Sequence, residues 1–244
     1  MYKWKERIRH VPELISDLLF PRRCVVCDRP VDHLFHGVCK KCRSKIVYIE
    51  APFCMKCGKQ LSVQCQEYCD DCLRRKHFYL QGKALYDYGS MADSIFRFKY
   101  MGRQEYAEFY GKDLYEHYGS WLLTVRPDAL VPVPIHTSRK RKRGYNQAEL
   151  LADELSKHCG IPVNRKLVIR KKKTRPQKDL TVQERQNNLK KAFKICKNDV
   201  KLSTIVIIDD IYTTGSTIDD MTRLLMASGV QKVYYMTLAV GRGI

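Results

Sequence analysis

Val206-Ile207-Ile208-Asp209-Asp210-Ile211-Tyr212-Thr213-Thr214-Gly215-Ser216-Thr217, in a chain of 244 residues, joins an apolar run, an acidic pair and a glycine turn without a break. The β-branched run Ile205–Ile208 has the continuous apolar character of a strand buried on both faces. Asp209 and Asp210 stand at its C-terminal end, and Thr213–Thr217 form a hydroxyl-rich turn around Gly215 ahead of an amphipathic helix. Strand, acidic pair and Thr/Gly/Ser loop together suit a sugar phosphate. Loop amides and hydroxyls at a helix N-terminus hold the phosphate, and Gly215 allows the backbone to approach it closely. The carboxylates are then placed to accept hydrogen bonds from ribose hydroxyls.

This run closely resembles the phosphoribosyl pyrophosphate (PRPP) motif of type I phosphoribosyltransferases. The resemblance implies that Asp209 and Asp210 bind the 2′ and 3′ hydroxyls, and that Thr213, Thr214, Gly215, Ser216 and Thr217 cradle the 5′-phosphate. A receiver-type phosphoacceptor also uses an acidic pair, but near the start of its domain, whereas this pair lies close to the C-terminus. No Gly-x-x-x-x-Gly-Lys-Ser/Thr is present, so a P-loop nucleotidase is not supported.

The chain has room for one α/β core and something smaller. Its formal net charge is +19. Residues 1–80 carry 16 basic and 9 acidic side chains, and residues 81–244 carry 29 and 17, so both parts are basic. That balance favours polyanionic partners such as nucleic acid or an anionic membrane surface. No apolar run reaches the roughly 18 residues needed to span a bilayer. Pro12, Glu13 and Asp17 interrupt the N-terminal apolar positions as no signal peptide would allow. Ile8, Val11, Leu14, Ile15, Leu18 and Leu19 are spaced as an amphipathic helix over residues 1–20. The expectation is a cytoplasmic protein without membrane insertion.

Nine of 11 cysteines precede residue 73, and eight keep a strict repeat. Cys24, Cys27, Cys39 and Cys42 form C-x2-C-x11-C-x2-C, and Cys54, Cys57, Cys69 and Cys72 repeat it 30 residues later. The two-residue gap lets both thiolates of a knuckle face one ion, and two knuckles complete a tetrahedral site. Such a site has no open position, so two structural zinc ions are expected and no metal catalysis. Cys65 competes with Cys69 as a ligand, although the repeat favours Cys69. The knuckles pair sequentially or cross-braced. His33 and His36 are possible substitutes, and Cys159 and Cys196 read as small core residues. The expected domains are the helix at 1–20, a double zinc-ribbon at 21–80 and an α/β domain at 81–244.

Downstream, Tyr86–Lys99 reads as a short strand followed by a helix, and helical spacing resumes over Glu105–Tyr118. Asp128–Ile135 reads as a buried strand, His136–Gln147 as a basic loop and Ala148–His158 as a helix. Another helix is expected over Thr181–Lys191. Strands at Thr204–Ile208 and Val233–Leu238 flank the helix from Ser216 to Ser228. This alternation argues for a mainly parallel sheet with its crevice at the strand C-termini.

Taken in order, the motifs resemble the ComF family of competence proteins, which join a double zinc ribbon to a type I phosphoribosyltransferase-like α/β domain. They are Cys24–Cys72, Lys99–Gly102, Val131–Pro134, Arg143–Gln147, Lys172 or Lys173 through Gln177, Arg185–Asn188 before Ala192-Phe193, and Ile208–Thr217. The resemblance implies a role in DNA uptake during natural transformation, with a competence helicase and a DNA-processing protein as partners. By order of motifs, Arg139 and Arg143 would face pyrophosphate, and Lys173 and Arg175 would belong to the flexible loop that closes on it. Mg²⁺ would accompany PRPP. The expected function is a DNA-uptake factor that binds PRPP or a related ribose phosphate, with single-stranded DNA on the basic surface. The alternatives are an active phosphoribosyltransferase acting on a base or amine, and a zinc-module adaptor for a helicase with a vestigial pocket.

Overall fold

The computed structural model describes residues 21–31, 37–170, 192–196 and 202–241. The helices expected over 1–20 and 181–191 lie outside these residues. The chain divides into two compact units, residues 1–46 and 47–244, a division that does not coincide with the boundary expected at residue 80.

Each unit holds one copy of the 30-residue repeat, and the copies fold alike. The Cys24 amide donates to the Arg29 carbonyl (2.9 Å) and the Asp28 amide returns to the Cys24 carbonyl (2.8 Å). In the second copy, Cys54 donates to Lys59 and Gly58 to Cys54, both at 2.8 Å. Cys39 and Cys69 precede the one-turn helices α1 (Lys40–Arg43) and α2 (Asp70–Arg74). The residue after each first knuckle is left-handed: Asp28 at φ 59° and Gly58 at φ 71°. Asp tolerates that conformation. At the second position more is required, because a Cβ on Gly58 would lie 2.9 Å from the Gly82 carbonyl and 3.0 Å from the Ala84 nitrogen.

The remaining elements are β1 (Gly82–Asp87), α3 (Tyr88–Tyr100), α4 (Tyr106–Val125), β2 (Ala129–Pro132), α5 (Thr137–Arg143), α6 (Gln147–Cys159), β3 (Val168–Arg170), β4 (Phe193–Ile195), β5 (Thr204–Tyr212), α7 (Ser216–Ala227) and β6 (Lys232–Val240). Four strands form a wholly parallel sheet in the order β1-β6-β5-β2, and β3 pairs with β4 as a separate antiparallel hairpin. Ala84, Val131, Ile205, Ile207, Val233 and Tyr235 share a core with Ile218, Met221 and Leu225 of α7. Cys54, Cys57, Leu61 and Cys69 belong to this same core, so the second ribbon is built into the α/β unit. The alternate strand residues Leu85, Leu130, Val206, Ile208 and Met236 are also buried, as the two-residue period of a strand requires when both faces are covered. Each such side chain contributes roughly 1.5–3 kcal/mol on burial, against about 0–1 kcal/mol for a surface ion pair. The apolar run therefore dominates the placement of β5.

Three expectations are corrected. Thr137–Arg143 is a helix, not a loop: His136 accepts from the Ser138 amide at its start, and Gly144, at φ 85°, ends it. β5 runs on through the acidic pair to Tyr212, because β6 continues to pair with it as far as Val240. Cys159 and Cys196 are half-buried rather than core residues.

Candidate functional site

β2 ends with Pro132 opposite Ile208. Beyond that register β5 keeps its β6 neighbour and loses its β2 neighbour, so Asp209 and Asp210 stand where only β6 pairs with the strand. The Lys99 ammonium, in the last turn of α3, meets Asp210 Oδ1 at 2.8 Å. The Asp210 amide donates to Asp209 Oδ1 at 2.9 Å. Burial and then the Asp210 charge push the Asp209 carboxyl up to about 7, with Lys99 and Arg170 pulling the other way. Arg170, at the end of β3, is held below its ordinary range by burial and by the charge of Arg139, against the pull of Asp209. Lys99 and Arg170 are members of this charge cluster that sequence reasoning left without a role. Lys99 stood in a recognised motif, but only folding reveals that its partner lies 111 residues downstream.

Lys99, Arg139, Lys142 and Arg143 line one cleft of about 570 Å³ with Tyr100 and Gly102. Among the described residues no carboxylate shares this lining, and four of its six side chains are cations, Lys99 being the one paired with Asp210. Arg139 and Arg143, expected to face pyrophosphate, both line this cleft, and Arg143 also has partners within the protein. Its guanidinium lies 4.6 Å over the Tyr100 ring and donates to Gln147 Oε1 at 3.0 Å. Gln147 donates to the Lys99 carbonyl (3.2 Å), Tyr145 to the Phe98 carbonyl and Asn146 to the Val133 carbonyl (3.0 Å). Asn146 also caps α6 by accepting from the Ala148 amide. The Arg143–Gln147 segment therefore ties the start of α6 to the end of α3 and holds Lys99 in place. Lys173, Arg175 and the segments through Gln177 and Arg185–Asn188 lie outside the described residues.

Thr213 and Thr214 are exposed, and Gly215 turns left-handed (φ 76°) immediately before α7. Thr214 Oγ1 and Ser216 Oγ stand 3.1 Å apart, and Thr217 follows in the first turn of α7. Gly215 also meets a constraint from the protein itself. A Cβ there would lie 2.4 Å from Tyr212 Oη and 3.0 Å from His77 Cε1. The left-handed backbone and the side chains behind the loop both call for glycine.

Two groups of four sulfurs are assembled among the described residues: Cys24, Cys27, Cys39, Cys42 and Cys54, Cys57, Cys69, Cys72, each within 4.8 Å of one another. Pairing is sequential, and Cys69 rather than the exposed Cys65 completes the second group. Zinc–sulfur bonds of about 2.3 Å in a tetrahedron put sulfurs about 3.8 Å apart. The Cys57–Cys69 and Cys27–Cys39 separations are 3.6 and 4.0 Å. Cys39 and Cys57 amides point at Cys24 and Cys54 sulfurs (3.4 and 3.5 Å), as donors to thiolate do. Both sites fit structural zinc. His33 and His36 lie outside the described residues.

The profile of the double zinc ribbon domain matches residues 15–73, and that of the phosphoribosyl transferase domain matches residues 141–243. Competence protein F of Haemophilus influenzae is 31% identical over 233 residues, covering 90% of this chain and 97% of that protein. The chain belongs to the ComF family. Competence protein ComFC of Bacillus subtilis is 32% identical over 205 residues, 79% of each chain. The DNA utilization protein YhgH of Escherichia coli is 29% identical over 220 residues, 88% of this chain and 96% of that protein. A purine phosphoribosyltransferase from Pyrococcus horikoshii aligns with a TM-score of 0.34 at 14% identity, over 56% of this chain and 87% of that one, a likeness too slight to bear on the fold. In this ComF chain Lys99 and Arg139 precede the stretch matched by the transferase profile, yet Lys99 pairs with Asp210 and both cations line the cleft.

Proposed function

We propose that this ComF-family chain acts in DNA uptake and binds PRPP or a related ribose phosphate in the crevice at the end of β5. Asp209 and Asp210 accept from the ribose hydroxyls, and Thr213–Thr217 hold the 5′-phosphate. Mg²⁺ enters with PRPP, its hard-oxygen preference matched by the two carboxylates. The observation that carries this reading is the acidic pair just past the end of β2, with Lys99 on Asp210 and the Gly215 turn at the head of α7.

Single-stranded DNA is the polyanion proposed for the cationic surfaces. The cleft of Lys99, Arg139, Lys142 and Arg143 supports this, as does a second cleft of about 560 Å³ in the first unit, lined by Arg29, Lys40, Lys41 and Lys45 beside Cys27 and Cys42. The printed names of the relatives, competence and DNA utilization, point the same way. No helix among the described residues is long and apolar enough to cross a membrane.

Isothermal titration of the zinc-loaded protein with PRPP and Mg²⁺ tests the pocket. Saturable binding that weakens in Asp209→Asn/Asp210→Asn is the expected result, and no binding by the unmodified chain overturns it. Pyrophosphate release on adding a panel of bases would turn the binding protein into a transferase.

A further inference from the structure

The two zinc sites differ in what they touch, although their own geometry is the same. Behind the phosphate loop stands a layer of aromatic side chains. Tyr212, the last residue of β5, lies flat on Tyr235 of β6, ring centroids 4.9 Å apart at 3°. The Tyr235 hydroxyl donates to the carbonyl of Cys57, a ligand of the second site, at 2.7 Å. Tyr212 Oη is 2.8 Å from Tyr79 Oη and 3.4 Å from His77 Nε2. His77 Nδ1 in turn meets Asp219 Oδ2 at 2.8 Å, and the Phe78 amide donates to Asp219 Oδ1 at 2.9 Å. Asp219 sits in the first turn of α7, and its amide donates to the Gly215 carbonyl at 2.8 Å. An unbroken series of contacts thus runs from the Cys57 carbonyl through Tyr235, Tyr212 and His77 to the helix turn that carries the loop. Gly215 is packed so closely on Tyr212 and His77 that a methyl group would not fit between them. The knuckle itself is pressed onto β1, where a Cβ on Gly58 would meet strand backbone.

We infer that the Cys54–Cys57–Cys69–Cys72 site is the foundation of the phosphate loop, with Tyr235, Tyr212 and His77 as positioning residues. Metal occupancy there and ribose-phosphate binding at Thr213–Thr217 are therefore coupled, while the first site lies in a different compact unit and has no share in the coupling. This rests on the proposed ribose-phosphate reading of the loop. Coupling between two sites is reciprocal. If zinc holds the loop in its binding form, ligand on the loop must hold the zinc.

The test measures zinc release from the full chain to a colorimetric chelator, with and without saturating ribose 5-phosphate. Release from one of the two ions is expected to slow several-fold with ligand. The protection should persist in Cys24→Ser/Cys27→Ser, which keeps only the second site, and vanish in Cys54→Ser/Cys57→Ser, which keeps only the first. Tyr235→Phe keeps the stacked ring and all eight thiolates but loses the bond to Cys57. It should retain two zinc ions and lose most of the protection. Full protection retained in Tyr235→Phe would mean that ligand guards the metal only by stabilising the whole unit, and would overturn the inference. Ribose 5-phosphate that binds by calorimetry yet leaves both release rates unchanged overturns the inference and spares the pocket. Ribose 5-phosphate that does not bind the unmodified chain removes the pocket reading, and this inference with it.

Discussion

Asp209 sits near neutrality because burial and the Asp210 charge both penalise its ionised form. Its unfolded value is about 3.9, so between that pH and about 7 the folded chain holds a proton that the unfolded chain has lost. This group therefore favours the fold at low pH, and that contribution is lost as pH rises through about 7. Asp209→Asn should raise the melting temperature more at about pH 8 than at about pH 5. Carboxyl NMR should place the Asp209 midpoint near 7, and Asp210→Asn should lower it by removing the neighbouring charge. Ligand affinity moves the opposite way. Each charge-assisted bond lost from the Asp209→Asn/Asp210→Asn chain should weaken PRPP binding by about 1.5–3 kcal/mol. Gly215→Ala combines a left-handed backbone, costing about 1–2 kcal/mol, with the collision at Tyr212 Oη. Urea unfolding should show a larger loss than the backbone cost alone, even with no ligand present. The types of the loop residues were readable along the chain, but this constraint on Gly215 was not, because His77 approaches from 138 residues upstream.

Among the elements, α5 changes how its cations act. Arg139–Arg143 reads in sequence as part of a basic loop, yet the helix sorts its cations. Arg143 turns onto Tyr100 and Gln147, Lys140 pairs with Glu149 at 2.8 Å, and Arg139 and Lys142 line the cleft. Arg139→Gln/Lys142→Gln should lower the slope of log affinity against log salt for single-stranded DNA by about 1.4, at about 0.7 per phosphate. Lys140→Gln/Arg141→Gln should change it less, and equal effects from the two pairs would mean that the cleft is not the contact. The parallel order of strands and helices was legible because apolar runs and their period survive without tertiary information. The length of β5 was not: nothing within Asp209–Tyr212 announces that β6 pairs with it to the end. Nor did the run of five cations announce a helix, since its stop signal is the backbone angle of Gly144.

For the molecule as a whole, the repeat made the zinc count readable and concealed the partition. Elemental analysis should find two zinc ions per chain, and fewer than one in protein never exposed to chelator would sink both sites. A chain cut to residues 47–244 should stay soluble, hold one zinc ion and melt cooperatively. A cut at residue 81, the boundary read from the cysteine spacing, removes Cys54, Cys57, Leu61 and Cys69 from the core they share with Val131, Ile205 and Tyr235. That shorter chain should aggregate or lose its near-ultraviolet circular dichroism. Sequence could not place the division because the cysteine pattern of the two ribbons is identical.

Asp28 and Gly58 occupy the same place in the two copies, with nearly the same backbone angle, and Gly58 lies against the backbone of β1. The duplication that produced the repeat has therefore become irreversible at a single codon. A chimaera carrying the first copy twice would present eight well-spaced thiols and chelate two ions in solution, yet the Cβ of its second aspartate would collide with the backbone of Gly82 and Ala84. Drift can exchange almost any surface residue between the copies, but it cannot exchange the copies themselves.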